Sequence, residues 1–491
     1  MELAEEQQQK ENRKTDLTTR PLFGKIILFA LPLMLTSWLQ LLYNAADLIV
    51  VGQWTGDTAM AAVGSTGALI NLIVNLFIGL SVGALSVTAR YIGARKDDKV
   101  SRTVHTAISI SVLSGIAVGL IGFFISKQML KWMDTPSDIL SQSALYLKIY
   151  FCGMPVNLLY NFGSSILRAS GDTRRPLLIL GVSGLVNVGL NILTVAGLHM
   201  GVAGVGIATV SSQALSAVGV VFFLTRKKDA TRFSFKKIRI YRTELFEILR
   251  LGVPAGVQGI LFSLSNVIIQ SSINGFGSAA VAGNASAASL EGFVYVSMNA
   301  VAQACLTVVG QNYGAAKTKN IDLAVVQCLV LATAVGLAVG GLVLAAGRPL
   351  LRFYGCAEDG IGYGVRRLRL ICLWYFLCGL MDVCAGAMQG MGRSLMPMLV
   401  TMVGACLSRV VWVFTLFRLR PTFFMLILSY PVSWALTIVI HGVCLLVVRK
   451  KVYAHLAGAQ EQSIPAPQTE AEPTAETQTI PEIGEENHDL N

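Results

Sequence analysis

The chain has 491 residues, of which 54% are hydrophobic and only 14% charged. A soluble domain carries about 25% charged residues, so the polar surface that globular domains need is missing. This excludes an ordinary soluble enzyme, a disordered chain and a nucleic-acid-binding protein, and the net charge of +11 must belong to a polytopic membrane protein. The nine cysteines form no CxxC pair and mostly lie in apolar runs, where they read as small buried hydrophobes.

Met1 to Arg20 is polar and mixed in charge, which is not the pattern of a cleaved signal peptide. Beyond it, apolar stretches long enough to cross about 30 Å of hydrocarbon recur along the chain. They lie near 22–52, 60–89, 103–126, 141–168, 175–198 and 201–225. A second set lies near 245–273, 279–311, 320–347, 366–390, 395–417 and 421–448. Twelve spans predict an all-α fold with both termini on one side. The expected organisation is an arm over 1–21, an N-lobe over 22–225, a linker over 226–244, a C-lobe over 245–450 and a tail over 451–491.

Lysine and arginine assign the sides. One side collects 27 of them, eight in the link from Arg226 to Arg242, and the other side nine; three fall within spans. The richer side is expected to be cytoplasmic, in a plasma (inner) membrane. Five arginines between the ninth and tenth spans (Arg348, Arg352, Arg366, Arg367, Arg369) are the exception. The linker interleaves basic residues with Phe233, Phe235, Ile238 and Ile240, which suits a segment lying on the inner leaflet. The tail carries eight acidic residues from Glu461 to Asp489 and no Lys or Arg, the composition of a disordered segment.

The chain also repeats itself. GDTAMAAVG, from Gly56 to Gly64, recurs 219 residues later as GFGSAAVAG, and Gly93-Ala94-Arg95-Lys96 recurs 221 later as Gly314-Ala315-Ala316-Lys317. Gly171 and Pro176 meet Gly392 and Pro397 at the same offset. Two six-span lobes with an even count each share one orientation, so a pseudo-two-fold along the membrane normal relates them. Such repeats place a substrate site between the halves and move cargo by rocking.

A carboxylate inside a span costs about 2.5–3.5 kcal/mol on the insertion scale. Three acids stand there: Asp47, Glu291 and Asp382. Gln40, Tyr43 and Asn44 share a helical face with Asp47. The fifth span offers Asn187 and Asn191, the sixth Thr209, and the fourth Asn157 and Asn161. One carboxylate among amide and hydroxyl oxygens suits a hard monovalent cation or a proton; the alternative is that the amides only bond neighbouring helices. In the second half Asn266 replaces Asp47, with Gln270 one turn on. Glu291 and Asp382 each read as a second titratable site, a substrate-facing charge or a partner for Arg409 on the eleventh span, and depth alone pairs Arg409 with Asp382.

These residues resemble the multidrug and toxic compound extrusion (MATE) antiporters. The matching stretches include LLYNAADLIVVGQWTGDTAMAAVG (41–64), YNFGSSILRASGDTRRP (160–176) and VNVGLNILTVAGLHMGVAGVGIATVSSQ (186–213). NVIIQSSINGFG (266–277), EGFVYVSMNAVAQACLTVVGQNYGAAK (291–317) and AGAMQGMGRSLMPM (385–398) extend the likeness over about residues 20–450. The resemblance implies twelve helices in two lobes, a V-shaped cavity, and export of cationic amphipathic compounds in exchange for Na⁺ or H⁺. It assigns Asp47, Asn187, Thr209 and Asn161 to the coupling-ion site, and Asn191 stands where several members carry a second Asp. Gln40, Tyr43, Asn44, Asn157, Asn266, Gln270, Glu291 and Asp382 are the cavity candidates. No enzymatic activity, organic cofactor, nucleic-acid partner or metal beyond Na⁺ at Asp47 is expected, and the chain is read as a monomer. The alternative function is a flippase for a lipid-linked oligosaccharide or other lipid-like substrate, and no GxxxxGK[ST] loop points to ATP.

Overall fold

The computed structural model of the chain describes residues 16–354 and 356–461, and every regular element among them is helical. The acidic tail beyond Glu461 and the first fifteen residues of the arm lie outside the described residues. Long apolar stretches without internal polar breaks satisfy their backbone only as helices in lipid. Three such helices open the chain: α1 (Leu22–Thr55), α2 (Asp57–Gly93) and α3 (Asp97–Trp132). The predicted fourth span is two sixteen-residue helices, α4 (Ser137–Cys152) and α5 (Met154–Ala169), interrupted at Gly153 ahead of Pro155. Then come α6 (Arg174–Asn191), continued by a wide π-type turn to Gly197, and α7 (Gly201–Thr225).

The second half repeats this plan. It contains α8 (Arg242–Asn274), α9 (Ser278–Gly314), α10 (Thr318–Ala345) and the short α11 (Gly347–Phe353). A 46° bend at Tyr375 separates α12 (Glu358–Trp374) from α13 (Phe376–Gly390). The eleventh span is broken into α14 (Leu395–Thr401), a π-type turn, α15 (Ser408–Phe414) and α16 (Leu416–Leu419). The last helix, α17 (Phe423–Glu461), runs past residue 450. Among the described residues ten helices are long and apolar enough to cross a bilayer, and α12 with α13 counts as an eleventh; the halved α4–α5 rod is the twelfth element of the plan.

The repeat is written into the backbone as well as the sequence. Positive φ angles recur at Gly56 and Gly277, at Arg95 and Ala316, and at Gly171 and Gly392. Gly56 and Gly277 close the turns after α1 and α8 with φ of 85° and 89°, a conformation that a Cβ disfavours.

Helices α1 and α8 cross between the halves. The start of α1 (Leu22, Ile26, Phe29, Leu33) is buried in the second half against Val301, Cys305 and Val308 of α9. Its far end (Val50, Val51) packs with Val195, Val202 and Val205 of the first half. Conversely, Ile248 and Leu251 of α8 join the first-half core, while Ile269 and Ile273 join the second-half core.

The halves meet closely at one end of the bundle. There a Cβ on Gly93 would lie 1.8 Å from the Gln311 carbonyl oxygen, and one on Gly314 1.9 Å from that of Arg90. Ser86 Oγ donates to the Gln389 carbonyl at 2.7 Å, and Gln311 Nε2 to that of Ala169 at 2.8 Å. The linker docks at this end too, through Ser234 N–H to His105 and Tyr241 N–H to Thr106, both at 3.1 Å. So do Leu17 beside Asn312 and Tyr453 beside Thr318, which puts both ends of the described chain on one side.

Candidate functional site

In the first half, Asp47 sits on the stretch of α1 that leans against α6 and α7. Gly184 on α6 allows this approach: a Cβ there would fall 1.8 Å from the Tyr43 ring, and the Tyr43 hydroxyl donates to the Gly181 carbonyl at 3.2 Å. One helical turn later, Asp47 is half-buried. Its Oδ1 accepts from Asn191 Nδ2 at 2.5 Å, and its Oδ2 lies 3.5 Å from Thr209 Oγ1.

The Thr209 hydroxyl has a nearer acceptor, the Val205 carbonyl at 2.9 Å. Its single proton goes there, so its lone pairs are left for the Asp47 side. Asn191 Nδ2 also reaches Asn187 Oδ1 at 3.3 Å, and Asn191 Oδ1 is buried with no donor among the described residues. The structure therefore brings together Asp47, Asn191 and Thr209 directly, and Asn187 through Asn191. The result is one carboxylate with neighbouring neutral oxygens and no fixed cation among the described residues. Asn161 makes its bonds within its own helix, to the Asn157 carbonyl at 2.9 Å and Oδ1 at 3.1 Å. Gln40 and Asn44 are exposed on the same face of α1.

The second half solves the same problem with a fixed cation. Glu291, 4% exposed, takes a bidentate pair from Arg367: Nε to Oε1 at 2.9 Å and Nη2 to Oε2 at 2.6 Å. Arg367 Nη1 donates to Asn284 Oδ1 at 2.7 Å, Asn284 to Gln270 at 2.9 Å, and Gln270 to Asn274 at 3.1 Å. This corrects the expected pairing of Glu291 or Asp382 with Arg409. Depth along the sequence placed Arg367 at a span entrance, but α12 starts eight residues earlier and carries it inward.

Arg409 instead bonds Ser433 Oγ at 2.9 Å and Asn266 Oδ1 at 3.1 Å. Its guanidinium lies over the rings of Tyr430, Phe262 and Trp434 at 4.4, 5.1 and 5.9 Å. Cation–π contact in a desolvated site contributes about 2 kcal/mol. Asn266 is the repeat equivalent of Asp47, so a tethered guanidinium occupies the second half where the first half has an open carboxylate.

Asp382 has no ion-pair partner among the described residues, and its Oδ2 is buried without a hydrogen bond. It faces a cavity of about 630 Å³ lined from α2, α8, α9, α12, α13 and α17. Asn266, Gln270, Glu291 and Arg367 share this lining with Asn75, Gln258, Asn299 and Gln389, and with the rings of Phe262, Tyr295, Tyr375 and Tyr430. Sequence reading missed Arg367, Asn284 and the amides of α2 and α9. Asn284 and Glu291 are seven residues apart on one face, and that spacing was the available signal.

A family profile described as MatE matches the chain twice, over residues 32–193 and 254–415, one repeat length apart. The probable multidrug resistance protein YoeA of Bacillus subtilis is 28% identical over 383 residues, covering 76% of this chain and 82% of that protein. The probable multidrug resistance protein NorM of Thermotoga maritima is 24% identical over 390 residues, covering 78% and 83%. Among solved structures, a MATE protein in a bent conformation superposes with a TM-score of 0.81 at 22% identity, over 91% of this chain and 99% of the other. A MOP superfamily transporter from Pyrococcus furiosus gives 0.79 at 22% identity, over 90% and 98%.

Proposed function

The chain belongs to the MATE family of multi-pass membrane transporters, and on that premise we propose that it exports cationic amphipathic compounds in exchange for H⁺ or Na⁺ bound at Asp47. The observation that carries this reading is the contrast between half-buried Asp47 and buried Glu291. Glu291 is neutralised by Arg367, whereas Asp47 accepts from the neutral amide of Asn191 and meets no cation among the described residues, and so has its charge available to a mobile ion.

The positive-inside rule puts the linker end in the cytoplasm, with both termini there and the chain in the plasma (inner) membrane. The close contacts at Gly93, Gly314 and Gln389 then seal the cytoplasmic side, and the conformation is outward-facing. In this state Asp47 takes its ion from outside, with Asn191 and Thr209 completing the oxygen set. Because α1 is rooted in the second half and carries Asp47 against the first, a change in its packing is felt by both. An ion shifts the equilibrium only by its differential affinity for the two states.

Cargo is held in the cavity between the halves. Arg367 and Glu291 cancel, and Asp382 is the lining carboxylate with no ion pair among the described residues, beside the rings of Phe262, Tyr295, Tyr375, Tyr430 and Trp434, while the Arg409 guanidinium is held over three of those rings. That balance favours a lipophilic cation over the anionic lipid-linked sugar of a flippase. The test is efflux of an ethidium-type dye from everted vesicles with Na⁺ and pH gradients imposed separately. One gradient should drive wild type and fail with Asp47→Asn, and full gradient-driven efflux by that variant would overturn the assignment of Asp47.

A further inference from the structure

Transport leaves the arginines of the outer end of the second half unexplained. Arg367 is consumed by Glu291. Arg348 and Arg352 share one carboxylate, Glu358, at 4.0 and 2.5 Å. Arg366 and Arg369 lie one turn apart on α12, are exposed, and have no carboxylate within 4.0 Å among the described residues. With Arg348 they line a cleft of about 720 Å³ between the α10–α11 corner and α12, whose other walls are apolar, among them Leu344, Val365 and Leu373.

The surroundings are those of a lipid-facing surface: Leu342 is 71% exposed, Leu373 56% and Phe353 86%. At 1.5 Å per residue, Arg366 and Arg369 stand about 12 and 17 Å along α12 from its start, on either side of the inward-carried Arg367. A guanidinium there is costly unless it reaches an anionic partner. The repeat shows that the basic character is built in. Lys127, Lys131 and Lys148 stand 221 residues before Arg348, Arg352 and Arg369. The second half has guanidiniums where the first has ammoniums, and it adds Arg366 where the first has Leu145. Arginine forks match phosphate oxygens in a bidentate manner that lysine cannot.

We propose that this cleft binds the phosphate headgroup of an anionic glycerophospholipid from the leaflet opposite the linker. Arg348, Arg366 and Arg369 hold the phosphate oxygens, and the acyl chains lie along Leu342 and Leu373. The excess of arginine on the side that the positive-inside rule leaves poor is thereby a lipid site and not a topology signal. Free phosphate shares the headgroup chemistry, but the apolar walls select the lipid. The inference does not rest on the cargo or the coupling ion.

The test is native mass spectrometry of the full chain after reconstitution with phosphatidylglycerol or phosphatidylcholine. Wild type should retain phosphatidylglycerol and not phosphatidylcholine, and Arg366→Gln with Arg369→Gln should cut that retention about tenfold. The pair Arg418→Gln and Arg420→Gln, at the same end but outside the cleft, should keep it. Equal retention by wild type and the Arg366/Arg369 variant overturns the proposal. Displacement of the lipid by millimolar inorganic phosphate overturns the choice of lipid over the free anion.

Discussion

Asp47 and Glu291 are both acids well inside apolar helices, and their partners differ in kind. The Glu291–Arg367 pair is 5% and 6% exposed at the side chains and bidentate. Removing one member leaves an uncompensated buried charge, which costs about 3–5 kcal/mol, while replacing both with apolar residues of similar volume is often neutral. Arg367→Met should therefore lower the melting temperature in detergent strongly, and adding Glu291→Leu should restore most of it. At Asp47 the corresponding change is functional. Asn191→Ala removes the 2.5 Å donor and the orphaned oxygen beside it. Under the proposed role it should weaken ion-driven dye efflux about tenfold, with a stability loss of about 1.5–3 kcal/mol, the contribution of a hydrogen bond to a charged group. Depth and periodicity identify a lone intramembrane acid. They do not identify its partner: Arg367 is 76 residues from Glu291, and Arg409 was equally eligible until the helices were packed.

At the scale of the element, α1 is a strut with each end in a different half. Between those ends Trp38 donates its indole N–H to Ser297 Oγ at 2.9 Å and meets the Phe293 ring edge-on at 6.3 Å. Pro32, whose carbonyl accepts from Thr36 Oγ1 at 2.7 Å, lies one to two turns earlier and removes one backbone bond from the helix. Trp38 thus ties the middle of α1 to the helix that carries Glu291. Trp38→Phe keeps the ring and loses the donor. It should preserve folding and ion-dependent stabilisation but slow gradient-driven efflux several-fold, which combined melting and vesicle assays can separate. No sequence signal marked Trp38, because an indole in an apolar run reads as core. The break at Tyr375 was equally silent, whereas Gly153 ahead of Pro155 is a breaker pattern that the span length masked. The polar residues of the fourth and tenth spans, Asn157, Asn161 and Asp382 among them, do not say where such a rod bends, and packing against neighbouring helices decides it.

For the whole molecule, the closed end depends on backbones meeting without side chains between them. A Cβ on Gly79 would lie 2.1 Å from Gly256 N, and one on Gly83 2.4 Å from the Ile248 carbonyl oxygen. Neither neighbour is a flexible side-chain tip, so Gly79→Leu cannot be absorbed in this conformation. It should shift the population towards the state open at the linker end. Spin labels on α2 and α8 would report that as a longer distance across the linker end, and an unchanged distance would contradict the seal.

The sequence by itself determined the twelve-span plan, the repeat and the identity of the three intramembrane acids. Those properties are local: hydrophobic length, a constant offset and the cost of a charge in lipid act within one helix. Only the tertiary structure decided that Glu291 is neutralised and Asp47 is not, that α1 and α8 exchange halves, and that the outer arginines gather around one cleft. These depend on which faces meet across hundreds of residues, and a helical period leaves every such pairing open until side-chain shape and the close approach of glycines select one.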